Sequence, residues 1–186
     1  IVERWLADGA LPALWSWAPL GDLGEWHGGG TPSKSEPSFW TGGTIPWISP
    51  KDMKVSRILD TEDHITPEAV ASSATAQVPA GAVVVVTRSG ILRHSLPVAV
   101  TAVPATLNQD LKALVPSGGI DPNYVMYGLR AFEHEILHSA TKTGTTVQSI
   151  VFPELLQFKL PLAPLAEQRR IVAEIEKHFT RLDAAV

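Results

Sequence analysis

Apolar residues fall into three patterns along this chain, and each pattern predicts a different kind of element. Trp15-Ser16-Trp17 alternates apolar with polar and then meets Pro19-Leu20-Gly21, which predicts a short first strand. Residues 1–14 are weakly patterned and read as a linker or the tail of a preceding element. Ile45-Pro46-Trp47-Ile48 predicts a second short strand. Pro46 has no N–H to donate, so that strand is expected at a sheet edge or at a bulge. Val83 to Val86 is a continuous β-branched run, the pattern of a strand covered on both faces. Val98 to Val103 and Leu111 to Val115 predict further strands. Ile150-Val151-Phe152 and Phe158-Lys159-Leu160 predict a last pair, separated by a turn at Pro153-Glu154.

Helical patterns begin at two matching signals. In Thr66-Pro67-Glu68 the threonine caps, the proline suits the first turn and the glutamate meets the positive end of the dipole; this helix is expected to reach about Ala76. Asp121-Pro122 repeats the signal for a helix over 123–138, with Val125, Leu129, Phe132 and Ile136 as its apolar stripe. From Leu165, spacings of three and four give Gln168, Val172, Ile175, Phe179, Leu182 and Val186, a heptad seam with one polar member. Charged residues from Glu167 to Arg181 fill the outer face. About 22 residues of helix span roughly 33 Å. No cap follows Leu182, so the helix is expected to continue in a longer parent; an ordinary surface helix packed on its own domain is the alternative.

Composition narrows the classes. With 186 residues and 45% hydrophobic content the chain can bury a core, and at 18% charged it is no disordered tail. A net charge of −4 argues against a protein that coats nucleic acid without regard to sequence. The absence of cysteine rules out disulfides and thiolate metal sites and is compatible with a cytoplasmic location. No window is long and apolar enough to cross a bilayer, and no signal peptide is evident, although the chain starts at Ile1. Acids are absent between Glu68 and Asp110, where Arg88, Arg93 and His94 lie, and again between Glu135 and Glu154, where His138 and Lys142 lie. These segments could form a local positive face on an acidic body, or could simply be buried strands and turns.

Two motifs suggest chemistry. His134-Glu135-Ile136-Leu137-His138 satisfies H-E-x-x-H, in which two histidines four apart bind zinc and the glutamate acts as base. On a helix over 123–138 both histidines turn away from the apolar stripe, and no third ligand stands in a convincing context, so no metal site is expected. Asp121-Pro122-Asn123-Tyr124 is one residue from the Asp-Pro-Pro-Tyr of adenine methyltransferases, but it already serves as a helix start and no glycine-rich methyl-donor fingerprint accompanies it. No recognisable catalytic apparatus and no cofactor are expected.

The run GGGTPSKSEPSFWTGGTIPWISPKDM, from Gly28 to Met53, has glycine clusters at its entry and exit, an aromatic pair at Phe39-Trp40 and a strand ending near Asp52. It resembles the opening of a target recognition domain from the specificity subunit of type I restriction-modification systems. Further pieces match in order: LPALWSWAPLGDL before it, then VPAGAVVVVTRSG, LNQDL, TGTTVQSI and FPELLQFKLPLAPLAEQRRIVAEIE after it. The resemblance implies an α/β (mixed α+β) domain over 1–160 with a curved mixed sheet and loops, followed over 161–186 by a long coiled-coil-forming helix. It also implies two such domains, each reading one half of a bipartite DNA site, with their helices antiparallel between them. The implied partners are double-stranded DNA, a methyltransferase (modification) subunit, a restriction subunit, and a second recognition domain or second copy.

Side chains suited to that role can be named. Arginine pairs with guanine, and asparagine or glutamine with adenine, which makes Arg88, Arg93, Asn108, Gln109 and Gln148 candidate base readers. Lys34, Lys51 and Lys142, with the hydroxyls of Thr31, Ser89, Thr143, Thr145 and Thr146, suit phosphates. Trp47 and His94 complete the candidate surface. Leu165, Val172, Ile175, Phe179, Leu182 and Val186 are the candidate subunit interface. Asn108-Gln109 could instead be a structural turn, and a Trp47 face could bind protein or carbohydrate.

Overall fold

The computed structural model describes residues 11–142 and 147–183. The first strands are β1 (Ser16–Pro19), β2 (Gly24–Gly28), β3 (Ile45–Ile48), β4 (Arg57–Ile58) and β5 (Asp63–Ile65). Helix α1 (Pro67–Ala71) follows, with the Thr66 side chain accepting from Ala69 N at its start. It is a single short helix that ends before the expected Ala76. Then come β6 (Gln77–Val78), β7 (Val83–Val86), β8 (Arg88–Ser89), β9 (Val98–Thr101), β10 (Ala105–Leu107) and β11 (Leu111–Pro116). Helices α2 (Pro122–Ala131) and α3 (Glu133–Ala140) lead to β12 (Thr141–Lys142) and β13 (Gln148–Ile150). Helix α4 (Phe152–Gln157), β14 (Lys159–Leu162) and α5 (Leu165–Asp183) complete the chain.

The valine run behaves as its pattern predicts. Val83 to Val86 are fully buried, and β7 is the middle strand of a five-stranded sheet ordered β2-β11-β7-β9-β4. Only the β4–β9 pair in that sheet is parallel. Helix α2 packs on β7 and β9 from one side. Its start is the capped one expected, with Asp121 Oδ1 accepting from Asn123 N at 2.9 Å and Tyr124 N at 3.2 Å.

A second mixed sheet is ordered β5-β3-β10-β6, so the strand carrying Pro46 lies inside a sheet, unbulged, against the expectation of an edge or bulge. The reason is register. The parallel ladder to β10 begins only at Trp47, one residue past the proline, so no N–H is required of Pro46 there. Its carbonyl accepts from the Thr106 hydroxyl at 2.9 Å. Two smaller sheets, β1-β14 and β12-β13-β8, are antiparallel.

Two further expectations about local structure fail for nameable reasons. The helix predicted over 123–138 is two helices, broken where Phe132 leaves helical geometry at φ −104°, ψ 19°. Phe132 is 2% exposed and meets the rings of Trp17 and Phe158 edge-on, so the apolar stripe continues across the break. The turn expected at Pro153-Glu154 is instead α4, in which Pro153 occupies the first turn and Leu155 is buried.

The terminal helix is shared between its own domain and solvent. Gln168, at 1% exposure, donates to Ala163 O at 2.7 Å and Gly119 O at 3.2 Å and accepts from Asp121 N at 2.8 Å. Val172 is buried with Tyr124 and Ala163. Burial pushes the Tyr124 phenol up to about 12, and its hydroxyl donates to Pro161 O at 2.6 Å. Phe179 stacks on Tyr127 at 6.2 Å yet stays 52% exposed, and Leu182 is 64% exposed. Val172 is therefore withdrawn from the candidate subunit interface. Val186 lies outside the described residues. No described helix is long and apolar enough to cross a membrane.

Candidate nucleic-acid interface

The Gly28–Met53 stretch is built as a pinned loop. Gly29 and Gly30 have ordinary backbone angles, since among the described residues the positive-φ glycines are Gly24, Gly42, Gly81 and Gly119. They are needed for close approach instead: a Cβ at Gly29 would lie 1.8 Å from Asn108 O, and one at Gly30 would lie 2.7 Å from Ala74 C. Two indoles then hold the loop from below. Trp47 Nε1 donates to Gly30 O at 3.0 Å and Trp40 Nε1 to Ser33 O at 3.1 Å, with the two rings edge-on at 5.2 Å. Asp52 is structural as well, accepting from Ser49 N and Glu62 N.

Two candidate readers are corrected by this geometry. Trp47 is 4% exposed and packs with Ile65 and Ala69, so it offers a face neither to a duplex nor to a protein or carbohydrate. Asn108 is 7% exposed, and its Oδ1 accepts from Asp110 N at 2.8 Å; it is the structural turn that was the alternative.

That turn nonetheless gathers the rest. On one side of it Gln109 accepts a hydrogen bond from the Thr31 hydroxyl, both residues being exposed. On the other side Asp110 O accepts from Thr87 N and Arg88 N. Arg88 Nε lies 3.0 Å from Asp110 Oδ1, an ion pair whose alignment falls short of a hydrogen bond. The Arg88 side chain is still 62% exposed, so the pair aims the guanidinium without hiding it. Asp110 was absent from the candidate residues, and its place beside Asn108-Gln109 in LNQDL is the signal that could have found it.

The small sheet β12-β13-β8 brings separate segments of the chain into one place. Gln148 stands opposite Ser89, and Ser149 opposite Arg88 and Lys142. The short helical turn Gly90–Arg93 follows β8 directly and presents Arg93 and His94, both exposed, as is Lys142. A cleft of about 400 Å³ lies between this turn, α3 and the small sheet, with Arg93, His94 and Gln148 among its walls. Thr143, Thr145 and Thr146 lie outside the described residues. Lys34 is exposed on the pinned loop. Lys51 is paired with Glu62 at 3.1 Å; that hydrogen bond, and then the carboxylate's charge, holds the ammonium above the usual lysine range. Its charge is partly answered, which makes it the weakest phosphate candidate of the set.

The model of the type I restriction modification DNA specificity domain matches residues 12–184. The chain belongs to that family. It is 46% identical over 164 residues to the EcoR124I/EcoR124II specificity subunit of Escherichia coli, covering 88% of this chain and 41% of that protein. It is 28% identical over 177 residues to the MjaIX specificity subunit of Methanocaldococcus jannaschii, covering 94% and 40%. Among solved structures, the HsdS subunit from Thermoanaerobacter tengcongensis superposes with a TM-score of 0.66 at 22% identity over 94% of this chain and 40% of that one. A chain from a structure of type I R-M system assembly and conformational transition reaches 0.72 at 22% identity, over 98% and 44%. The specificity domain thus spans about two-fifths of the length of the relatives it matches. Its mixed α/β architecture with a C-terminal helix is the one the resemblance implied.

Proposed function

We propose that this chain reads one part of a bipartite duplex DNA target for a type I restriction-modification complex. The observation that carries the reading is the convergence of Arg88, Arg93, His94, Lys142 and Gln148 on one small sheet and its adjoining turn. Its role is recognition, with methylation and cleavage left to the modification and restriction subunits, and it acts in the cytoplasm. Arg88 reads a base edge; Lys142 and Lys34 hold phosphates; Gln109, oriented by Thr31 of the pinned loop, faces the duplex from the turn between β10 and β11. Phe179 and Leu182, with the partly covered Ile175 and Leu165, offer an apolar edge to a second recognition domain, a second copy or the modification subunit.

The test is selection from random duplex DNA with the modification subunit present, followed by two variants on the selected sequence. Arg88→Ala should cost about 1–3 kcal/mol of specific binding and relax one base position. Lys142→Ala should weaken binding to every sequence alike and lower the salt slope by about one. An Arg88→Ala protein with wild-type affinity and preference would remove that residue from the reading.

The competing zinc-hydrolase reading rests on His134 and His138. Among the described residues no group of three His, Cys, Asp or Glu side chains is placed to hold a metal. Elemental analysis should therefore return no stoichiometric zinc. One zinc per chain, lost on His134→Ala, would reverse the choice.

A further inference from the structure

The histidines of the H-E-x-x-H motif have no role in the reading above, yet they line the same cleft as Arg93, His94 and Gln148. Four residues apart on α3, His134 and His138 stand about 6 Å apart along the helix axis and share one face. Both are exposed. The acid in this cleft wall is Glu133, and its Oε2 accepts from Leu96 N at 2.8 Å, so that oxygen is occupied in holding the backbone after the His94 turn. The Arg93 side chain and the imidazoles of His94, His134 and His138 line the same cleft. The cleft is continuous with the proposed DNA surface, because Thr141 and Gln148 in its wall belong to β12 and β13, the strands that pair toward Lys142 and Arg88.

We infer that this cleft seats a backbone phosphate of the duplex, with His134 and His138 as a proton-dependent clamp opposite Arg93 and His94. The inference rests on the DNA-recognition reading and adds a sub-site to it. A phosphodiester stays anionic across the neutral range, whereas imidazole side chains gain charge as pH falls through about 6.5. The other charged groups facing the site are Arg93, His94 and Glu133, with Lys142 and Arg88 on the adjoining strands. Guanidinium and ammonium groups as a class stay charged across this range, so a change with pH is the signature of imidazole. Binding therefore strengthens on acidification, and the clamp contributes affinity without sequence preference.

The experiment uses the complete protein assembled with its modification subunit and a mixed-sequence duplex as the phosphate probe. Affinity is measured against salt at about pH 6 and about pH 8, bracketing imidazole ionisation. His134→Gln combined with His138→Gln should weaken binding about three- to ten-fold at the lower pH and little at the higher, with a salt slope shallower by about one at the lower pH only. The ratio of affinities for selected and mixed duplexes should be unchanged. Thermal melting of the variant checks that the domain is intact. If affinity and slope at low pH match the wild type while Lys142→Ala still weakens binding, the clamp is wrong and the reading stands. If the double variant alters the selected-to-mixed ratio, these histidines read bases and the phosphate assignment is overturned. If the wild-type complex binds no duplex, the reading and the clamp fall together.

Discussion

Gly29→Ala is expected to cost about 3 kcal/mol or more of folding stability, well above an ordinary surface change. The added methyl would sit 1.8 Å from Asn108 O and 2.5 Å from Asn108 C, both backbone atoms that cannot rotate aside. Relief requires moving either the end of β2 or the turn that joins β10 to β11. Both are tied: Gly30 N donates to Leu107 O at 2.9 Å, and Asn108 N donates to Ile48 O at 2.9 Å. The same shift would carry Gln109 and Asp110 with it, so the variant should lose recognition along with stability. Gly118→Ala is the control, since a Cβ there meets nothing within 4 Å, and it should stay within about 0.5 kcal/mol of wild type. Denaturant unfolding of both variants decides the matter. A Gly29→Ala midpoint equal to that of Gly118→Ala would mean that the close approach is not a constraint.

Gln168→Leu is expected to cost about 2–4 kcal/mol, because it keeps the volume and removes every partner of a buried amide. Ala163 O, Gly119 O and Asp121 N would be left without their bonds to residue 168, and Asp121 N is the backbone of the residue that caps α2. The side chain thus ties the first turn of α5 to the first turn of α2. A second tie lies alongside, where Trp15 Nε1 donates to Glu167 Oε2 at 3.1 Å. Unfolding should therefore remain a single transition at a lower midpoint. An unchanged midpoint would show that the amide does not hold the helix in place.

These features were legible to different degrees, for physical reasons. The β-branched run at Val83–Val86 and the Asp121 cap could be read directly, because each is a local cause with a local effect. The break at Phe132 could not, since Val125, Leu129, Phe132 and Ile136 keep helical spacing through it and only tertiary packing decides whether the helix bends. Heptad spacing from Leu165 picks out one face of the helix but does not name what covers it; Gln168 and Val172 turned inward while Phe179 did not. Trp47 misled because a tryptophan beside a polar loop looks the same whether its indole faces solvent or donates to the carbonyl beneath it. At Asn108 two readings stood open, and the Asp110 backbone chose between them. The gathering of Arg88, Lys142 and Gln148 depends on strand pairing between distant segments, which no local window contains.

The pairing of β1 with β14 sets a schedule for synthesis. Ser16–Pro19 finds its partner only in Lys159–Leu162, roughly 140 residues later. At about 5–20 residues per second, the first strand leaves the ribosome on the order of ten seconds before its partner exists. During that interval its backbone donors and acceptors, and the rings of Trp15 and Trp17 beside them, are open to any other strand nearby. A nascent chain stalled before residue 159 would carry that sticky edge for as long as the stall lasts, so slow translation late in the message is where this domain is most exposed to mispairing.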